Sequence, residues 1–421
     1  MRIIVAHNFY QQPGGEDQSF AAEVGVLRDG GQEVRTYTCH NDAIHAMGRL
    51  TIAGKTLWNR QTHAELRGLC REFRPDVVHF NNTFPLISPS AYYACRSEGA
   101  AVVQSLRNYR LLCPAATFYR DGKVCEDCLG KAVPWPALAH KCYRDSLGAT
   151  ATSVALLTGH RMFGTYNRAV DRYIAISEFC RRKFVEAGFD SERIAVKPNC
   201  VHPDPGTGSG GGGFALFIGR LAPEKGLGTL LAAWRKLEAR GVNLPLHIVG
   251  DGPEAQRVEQ AVAELKSVRW LGRRTPAEIA QMARQAECLV FPSEWYETFG
   301  RVAVEAYAAG TPVIASRIGA IEELVDEGRT GFLFGAGDAE DLAARVQAFL
   351  AMGNEERAGM RGECRGEYEA KYTAERNYPM LMAIYREAIA RAQARGQRKH
   401  ELVEAEAEEM AEVTGTTPRP Q

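Results

Sequence analysis

Apolar and polar residues follow one recurring order along the chain: a short apolar run, a loop with glycine, and a stretch with helical spacing. Residues 2–7 lead into the loop at 14–15, after which Phe20, Val24 and Leu27 recur every three to four residues. Apolar runs of this length predict buried strands, and this spacing predicts a helix. Further strands are predicted at 33–38, 76–80, 100–105 and 172–176. Strands that alternate with helices predict a doubly wound parallel sheet.

The same order returns after a glycine-rich run at residues 204–213, which predicts a flexible linker because such runs hold no packed element. The strands predicted beyond it are 214–218, 245–249, 268–271, 288–291 and 312–315. We therefore expect an α/β protein with two Rossmann-like domains that face a cleft, at 1–203 and 214–373.

The C-terminal part of the chain changes in composition. A helix at 374–396 is expected to return to the N-terminal domain. Residues 397–421 are acidic and poor in apolar side chains. Such a segment buries too little apolar surface to offset its ordering entropy, so we predict a disordered tail.

Composition and charge exclude several classes of protein. The 421 residues are 45% hydrophobic, and 51 Lys and Arg balance 51 Asp and Glu. The absence of excess positive charge argues against a nucleic-acid partner. No apolar run reaches the ~18 residues of a membrane span, and the N-terminus does not resemble a signal peptide. Together with eleven cysteines, which fit a reducing compartment, this composition predicts a cytoplasmic protein.

Two cations follow the first strand of the second domain. Arg220 and Lys225 lie in the loop at 219–226. Ligands of doubly wound sheets bind at the carboxyl ends of the strands, so the pair is placed where a diphosphate would sit. Taken alone, the pair is equally compatible with ordinary surface charge.

A second stretch, at 292–306, carries two carboxylates. Glu297 lies in a loop, and Glu305 lies about two turns into a helix that is predicted to begin near Phe299. Along the helix axis they are ~9–12 Å apart, which suits hydroxyl groups at two ends of one ligand. Free backbone N–H groups at 298–301, at the start of this helix, predict a site for phosphate oxygens.

Together these motifs resemble the nucleotide-binding half of the family 4 retaining glycosyltransferases, which have the GT-B fold. The motifs are Gly219-Arg220-Leu221-Ala222-Pro223-Glu224-Lys225-Gly226, Gly250-Asp251-Gly252-Pro253, Trp270-Leu271-Gly272, the pair Glu297 and Glu305, and Gly310-Thr311-Pro312-Val313-Ile314-Ala315. The N-terminal half is similar to the family through Gly14-Gly15, and the resemblance spans about residues 1–395.

The resemblance implies transfer of a sugar from a nucleotide diphosphate sugar to a hydroxyl acceptor, with retention of configuration. The acceptor would be a glycan or a lipid-linked sugar, in cell-envelope, capsular, exopolysaccharide or lipopolysaccharide assembly. No metal cofactor for catalysis is implied, and the sequence has no Asp-x-Asp motif.

The resemblance also implies residue roles. The donor-binding set is Gly15, Arg220, Lys225, Leu271, Thr298, Phe299, Gly300, Arg301 and Glu305. Arg220 and Lys225 would bind the diphosphate, Glu305 the ribose, and Glu297, as a catalytic residue, the transferred sugar. Leu271 would contact the base, and the loop at Gly15 would cross close to the phosphates.

Two positions of the first domain depart from the family. Asn81 and Arg107 stand where relatives often have histidine. The second histidine faces the sugar and acceptor in the family, so Arg107 is assigned that catalytic position, where it would pair with a phosphate or carboxylate. Because of these two departures, the alternative that the chain is a catalytically impaired relative, which binds a nucleotide sugar, stays open. A dehydrogenase or epimerase is disfavoured because the first loop lacks G-x-G-x-x-G.

Four cysteines lie within thirty residues of the first domain, in an insertion at 113–142: Cys113, Cys125, Cys128 and Cys142. Their spacing suits a structural zinc site with four thiolate ligands, and such cysteines recur in related sugar transferases. Four free thiols are the alternative, because only one pair has C-x-x-C spacing.

A helix predicted at 146–166 is apolar and has basic flanks. Packing into the core is one interpretation. The other is peripheral contact with an anionic membrane, at whose inner face lipid-linked acceptors reside.

Overall fold

The computed structural model describes the backbone of residues 1–12 and 14–414, and the side chains of residues 1–12 and 14–397. The strands are β1 (Arg2–Phe9), β2 (Glu33–His40), β3 (Val77–Asn82), β4 (Ala101–Leu106), β5 (Tyr119–Arg120), β6 (Lys123–Val124), β7 (Arg172–Ala175), β8 (Ile194–Val196), β9 (Ala215–Ile218), β10 (Leu246–Val249), β11 (Val268–Gly272), β12 (Cys288–Phe291), β13 (Val313–Ser316) and β14 (Gly331–Phe334). The α-helices are α1 (Gly15–Asp29), α2 (Arg49–Leu57), α3 (Arg60–Phe73), α4 (Ser90–Ser97), α5 (Pro136–Ala139), α6 (Leu147–Met162), α7 (Thr165–Arg168), α8 (Glu178–Glu186), α9 (Leu227–Ala239), α10 (Ala255–Glu264), α11 (Pro276–Gln285), α12 (Arg301–Ala308), α13 (Ile321–Leu324), α14 (Ala339–Ala351), α15 (Asn354–Lys371) and α16 (Ala374–Thr414).

Two six-stranded parallel sheets organise the chain. The first has the order β2-β1-β3-β4-β7-β8, and the second has the order β11-β10-β9-β12-β13-β14. The direction of the strand order reverses next to β1 in the first sheet and next to β9 in the second. Ligands of such sheets bind outside the carboxyl ends of strands at this reversal. The expectation of two doubly wound α/β domains is confirmed.

The apolar runs become strands because helices cover both faces of each sheet. β3 and β4 are buried along their whole length, as parallel strands between two helical layers require. No helix in the described part of the chain combines the length and apolar composition of a membrane span.

The glycine-rich segment at 204–213 is packed against the second domain, in contrast to the flexible linker that its composition predicts. Gly210 N donates to Arg284 O at 3.0 Å, and Gly212 N donates to Gln285 O at 2.9 Å. A Cβ atom at Gly208 would lie 2.2 Å from Arg284 O. The glycines therefore permit a close approach of two backbones, which the sequence of the segment alone does not reveal.

Helix α16 returns to the first domain, where Leu381 and Tyr385 pack with Ile3 and Val5 of β1. The helix continues to Thr414, so residues 397–414 are helical and the expected disordered tail is corrected there. A helix that is already nucleated extends at little cost through residues such as alanine and glutamate. The remainder of the predicted tail, at 415–421, lies outside the described residues.

Candidate functional site

The two domains meet across a cleft at the carboxyl ends of their central strands. Thr298 joins them: its Oγ1 donates to Arg107 O at 2.9 Å, and its carbonyl accepts from Ser177 Oγ at 2.7 Å. Next to it, Arg301 Nη1 donates to Ser19 Oγ at 3.2 Å. The segment that begins α12 therefore touches helix α1 and two loops of the first domain.

Tyr296 adds an aromatic contact between the domains. Its ring lies 4.8 Å from the ring of Phe179 and 6.4 Å from that of Phe118, and Lys183 Nζ lies 5.5 Å from its centroid. The sequence analysis did not single out Tyr296, because its partners come from distant parts of the first domain.

Lys225 and Glu297, which the sequence analysis placed in one site, lie in direct contact. Lys225 Nζ is 2.5 Å from Glu297 Oε1, and Ser293 Oγ donates to the same oxygen at 2.9 Å. Lys225 also lies 4.9 Å from the centroid of the Trp295 ring. Arg220 lies five residues before Lys225, and its side chain is exposed. No described carboxylate lies within ion-pair distance of Arg220. One cation of the loop is thus paired, and the other is open to a ligand.

Glu305 has a cation of its own. Arg301 Nε donates to Glu305 Oε1 at 2.7 Å across one turn of α12. The helix begins after Gly300, whose φ of 100° is a left-handed conformation that favours glycine. A Cβ atom at Gly15 would lie 3.8 Å from Arg301 Cδ, which places the N-terminus of α1 beside this helix.

The start of α12 presents unpaired backbone donors. Within the described part of the chain, the N–H groups of Thr298, Phe299, Gly300 and Arg301 donate to no acceptor. Phe299 can contact a ligand only through its backbone N–H. Its side chain is buried, with its ring 6.0 Å from the Tyr372 ring. Leu271 is half-buried at the end of the edge strand β11. These free amides, together with the cations Lys225 and Arg220, are donors suited to an anion.

Arg107 does not face the cleft with its side chain, in contrast to its expected place beside the sugar and acceptor. The guanidinium is buried, with Nε 2.5 Å from Asn81 Oδ1 and Nη2 3.1 Å from Glu23 Oε2. Its Nη1 also donates to Asn199. Burying an arginine requires an ionic partner and hydrogen bonds, and Glu23 and the two asparagines supply them. Only the carbonyl of Arg107 reaches the cleft.

The buried cluster around Glu23 has strongly shifted pKa values. Burial alone would raise the pKa of Glu23, but His79, Lys197 and Arg107 lower it to about 2. Burial lowers the pKa of His79 to about 4, so this histidine is neutral at pH 7. The cluster thus holds two cations and one carboxylate around a cavity of about 10 Å³, room for about one water molecule.

Comparison with known proteins gives the chain its family. Residues 207–363 match the family model for glycosyl transferases group 1, and residues 22–200 match the glycosyl transferase 4-like domain. A phosphatidyl-myo-inositol mannosyltransferase of Mycolicibacterium smegmatis is 35% identical over 379 residues, which is 83% of this chain and 85% of that protein. The chain belongs to the family 4, group 1 glycosyltransferases.

A second curated relative is covered over a smaller share of its length, and a solved structure is covered almost completely. An uncharacterized glycosyltransferase of Methanocaldococcus jannaschii is 30% identical over 219 residues, which is 52% of this chain and 60% of that protein. Among solved structures, Anabaena HepE in complex with UDP-glucose has a TM-score of 0.64 and 18% identity, covering 91% of this chain and 99% of its own. This likeness confirms the GT-B fold.

On the first-domain side of the cleft, the glycosyltransferase carries polar residues that the sequence analysis did not assign. Glu16 accepts from Tyr10 Oη at 3.1 Å and from Asn108 Nδ2 at 2.9 Å. Burial, and then the charge of Glu16, raise the pKa of Tyr10. The sequence features that could have indicated this cluster are the position of Glu16 directly after two glycines and that of Asn108 next to Arg107.

The four cysteines of the insertion do not form a metal site in this structure. In the described residues, no group of three or more His, Cys, Asp or Glu side chains is arranged to hold a metal ion. Cys113, Cys125, Cys128 and Cys142 are free thiols. Burial, together with the three other thiols of the segment, raises the pKa of Cys128 to about 12. The four thiols lie near enough to raise one another's pKa but do not have the arrangement of a metal site in the described residues, so the four-thiolate zinc site stays a prediction.

Proposed function

We propose that this glycosyltransferase transfers a hexose from a nucleoside diphosphate sugar to a hydroxyl acceptor, with retention of anomeric configuration. The observation that carries the proposal is the double pairing of Lys225 with Glu297 and Arg301 with Glu305 around the free amides of the α12 N-terminus. The complex of Anabaena HepE with UDP-glucose supports the donor class, since that protein shares the fold.

Donor binding would exchange partners within these two pairs. The phosphate oxygens would accept hydrogen bonds from Lys225, Arg220 and the amides of Thr298–Arg301. Glu297 would then be free to accept from hydroxyl groups of the transferred sugar, and Glu305 from the ribose. Leu271, at the edge of the second sheet, would lie against the base.

The same donors would accelerate the reaction. As the bond between the sugar C1 and the diphosphate oxygen breaks, negative charge grows on the diphosphate. Lys225, Arg220 and oriented amides stabilise that charge more in the transition state than in the ground state. For retention, the acceptor oxygen bonds to C1 on the face that the diphosphate leaves, and its proton passes to a departing phosphate oxygen.

The acceptor would enter from the first domain. Tyr10, Glu16 and Asn108 form a half-buried polar cluster there, suited to the hydroxyl groups of a sugar. The Mycolicibacterium relative is named for a phosphatidylinositol acceptor, which supports a lipid-linked or glycan acceptor and a role in envelope or polysaccharide assembly. We place the reaction in the cytoplasm.

A second candidate is a nucleotide-sugar-binding relative without transferase activity. One observation favours it: the Arg107 side chain is buried among Glu23, Asn81 and Asn199, and does not occupy the position that a family histidine takes beside the sugar.

Titration calorimetry with nucleoside diphosphates tests the donor site. Lys225→Ala and Arg220→Ala should each weaken binding by about 1–3 kcal/mol, the loss of a charge-assisted contact. Arg235→Ala, an exposed arginine on α9 that pairs with Glu264, is the matched control. Unchanged affinity in both site variants would remove the diphosphate assignment.

Transfer assays separate the two candidates. The active enzyme should turn over a nucleotide hexose and keep the anomeric configuration of the donor, as read by NMR of the product. Glu297→Gln should lose turnover while diphosphate affinity persists. Donor binding without hydrolysis or transfer for a broad acceptor panel would favour the second candidate, and an inverted product would refute retention.

A further inference from the structure

We propose that the outer face of helix α6 is a docking surface for an anionic lipid bilayer. Residues Leu147, Ala151, Ala155 and Met162 are all exposed and follow one another at intervals of four and seven. At 100° per residue, these positions share one face of a helix that is ~24 Å long. With Phe163, which caps the helix, we call them the α6 ridge.

The ridge carries no charge, although it faces outward. Met162 is 81% exposed, Phe163 74% and Leu147 56%. The opposite face of α6 packs into the first domain through Leu156, Leu157 and His160. Solvent-facing helix surfaces normally carry charged residues, so an uncharged outer face requires a separate explanation.

A second apolar group extends the ridge sideways. Arg161 Nη1, on α6, donates to Lys131 O at 2.7 Å, which places the loop before α5 beside the C-terminal end of α6. This loop exposes Val133, and Trp135 at the start of α5 is 60% exposed. Tryptophan prefers the boundary between acyl chains and headgroups, because its ring is apolar and its N–H is polar.

The positive charge around the α6 ridge indicates that its partner is an anionic surface. Residues 131–168 contain five Lys and Arg and a single acidic residue, in a chain whose charges balance overall. Four of these cations are exposed and form no ion pair with any described side chain: Lys131, Lys141, Arg144 and Arg168. Unpaired cations beside exposed apolar side chains match the two attractions of an anionic bilayer, burial in the interface and attraction to headgroups.

The α6 ridge lies near the first-domain edge of the cleft, so docking at the ridge would affect access of an acceptor to the cleft. Arg110, which follows β4 into the cleft, stacks over Phe84 at 4.2 Å and over Tyr143 at 4.7 Å. Tyr143 lies four residues before Leu147, where the ridge begins. Docking at the ridge would therefore bring the first-domain edge of the cleft to the membrane surface, where a lipid-borne hydroxyl could reach it.

Co-sedimentation of the full chain with vesicles tests the surface. The protein should bind vesicles of phosphatidylcholine with phosphatidylglycerol, bind pure phosphatidylcholine weakly, and dissociate as salt screens the headgroups. Met162→Ser/Phe163→Ser and Lys141→Glu/Arg144→Glu should each weaken binding about tenfold or more. Val262→Ser and Lys266→Glu, exposed residues of the second domain, are matched controls and should bind as the unaltered protein does.

A second readout locates the contact. Brominated lipid should quench tryptophan fluorescence in the unaltered protein, and Trp135→Phe should remove most of the quenching. Calorimetry with nucleoside diphosphate should give equal affinity for the ridge variants, which shows that they are folded. No binding to anionic vesicles, or equal binding by the ridge and control variants, overturns the proposal. So does a ridge variant that changes the oligomeric state in light scattering, which would assign the ridge to a protein contact.

Discussion

Arg107 and Asn81 are hydrogen-bonded to each other in the first domain. Relatives often carry histidine at both positions, and the sequence analysis treated them as separate departures. In the structure, Arg107 Nε lies 2.5 Å from Asn81 Oδ1, and both side chains contact Glu23. The two departures therefore belong to one hydrogen-bonded cluster, in which Asn81 accepts from the Arg107 guanidinium and donates to Glu23.

The burial of Arg107 predicts a large stability effect. Arg107→Ala should lower the free energy of unfolding by about 3 kcal/mol or more, because it leaves buried polar partners unsatisfied. Arg35→Ala, which breaks an exposed pair with Glu72, should cost about 1 kcal/mol or less. Urea unfolding measures both. Equal losses in the two variants would show that the Arg107 network does not contribute as a buried ion pair.

His79 predicts a loss of stability in acid. Its pKa is about 4 in the folded protein and about 6.5 in an unfolded chain, so the unfolded state binds a proton first as the pH falls. Stability should therefore decrease from pH ~6.5 to ~4, and Glu23 continues the decrease from ~4.5 towards ~2.

Melting temperature against pH checks this expectation. His79→Gln should flatten the curve between pH ~6.5 and ~4, because glutamine keeps polar groups near Tyr385 and Ser105 but does not titrate. His45→Gln, at an exposed position, controls for the loss of an imidazole. The hypothesis fails if both variants keep the slope of the unaltered protein.

At the scale of elements, strands were predictable where an apolar run is buried on both faces. The runs at 76–80 and 288–291 became β3 and β12 almost residue for residue. The segment at 204–213 was not predictable, because its hydrogen bonds go to Arg284 and Gln285 of α11. Composition describes what a segment does alone, and these contacts depend on a partner more than seventy residues away.

The cysteine segment yields a prediction about reactivity. Because burial and neighbouring thiols hold the pKa of Cys128 at about 12, its thiolate is scarce at pH 8 and alkylation of the folded protein should be slow there. After unfolding in denaturant, all four cysteines of the insertion should react. Mass spectrometry of peptides, with and without denaturant, measures the difference.

Elemental analysis of the same sample decides between four free thiols and a four-thiolate zinc site. Protein without stoichiometric zinc would support four free thiols, the state in which this structure shows the cysteines. One zinc per chain, released as the four cysteines are alkylated, would instead show that the segment rearranges around a metal, as the sequence analysis expected.

At the scale of the whole molecule, the contacts between the domains include hydrogen bonds, aromatic contacts and an ion pair between Arg182 and Glu323. Thr298, Arg301 and Tyr296 contribute most of those described above. Such an interface permits relative motion of the domains. Sequence motifs singled out Lys225, Glu297 and Glu305, which lie on one domain, and in the structure Lys225 contacts Glu297. They did not reveal the contacts of Tyr296 or Ser177, which exist only when two domains face each other.

Small-angle scattering should detect this motion. Saturating nucleoside diphosphate sugar should reduce the radius of gyration, because the ligand bridges both sides of the cleft. Without donor, Tyr296→Ser should give a larger radius than the unaltered protein, since it removes the ring between Phe179 and Phe118. Tyr37→Ser, whose hydroxyl contacts Thr62 and Glu65 of the same domain, should not. Identical profiles with and without donor would contradict closure.

The return of α16 has a consequence for the order of events during synthesis. Leu381, Tyr385 and Ala388 pack with Ile3, Val5 and Leu27, so the first domain is assembled from both ends of the chain. On the ribosome, α1 can cover only part of Ile3 and Val5, and their contacts with α16 form after residue 388 has emerged, later than the whole second domain. Since domains generally fold as units as they emerge, the second domain should complete first, and the growing first domain is the part that requires chaperone protection.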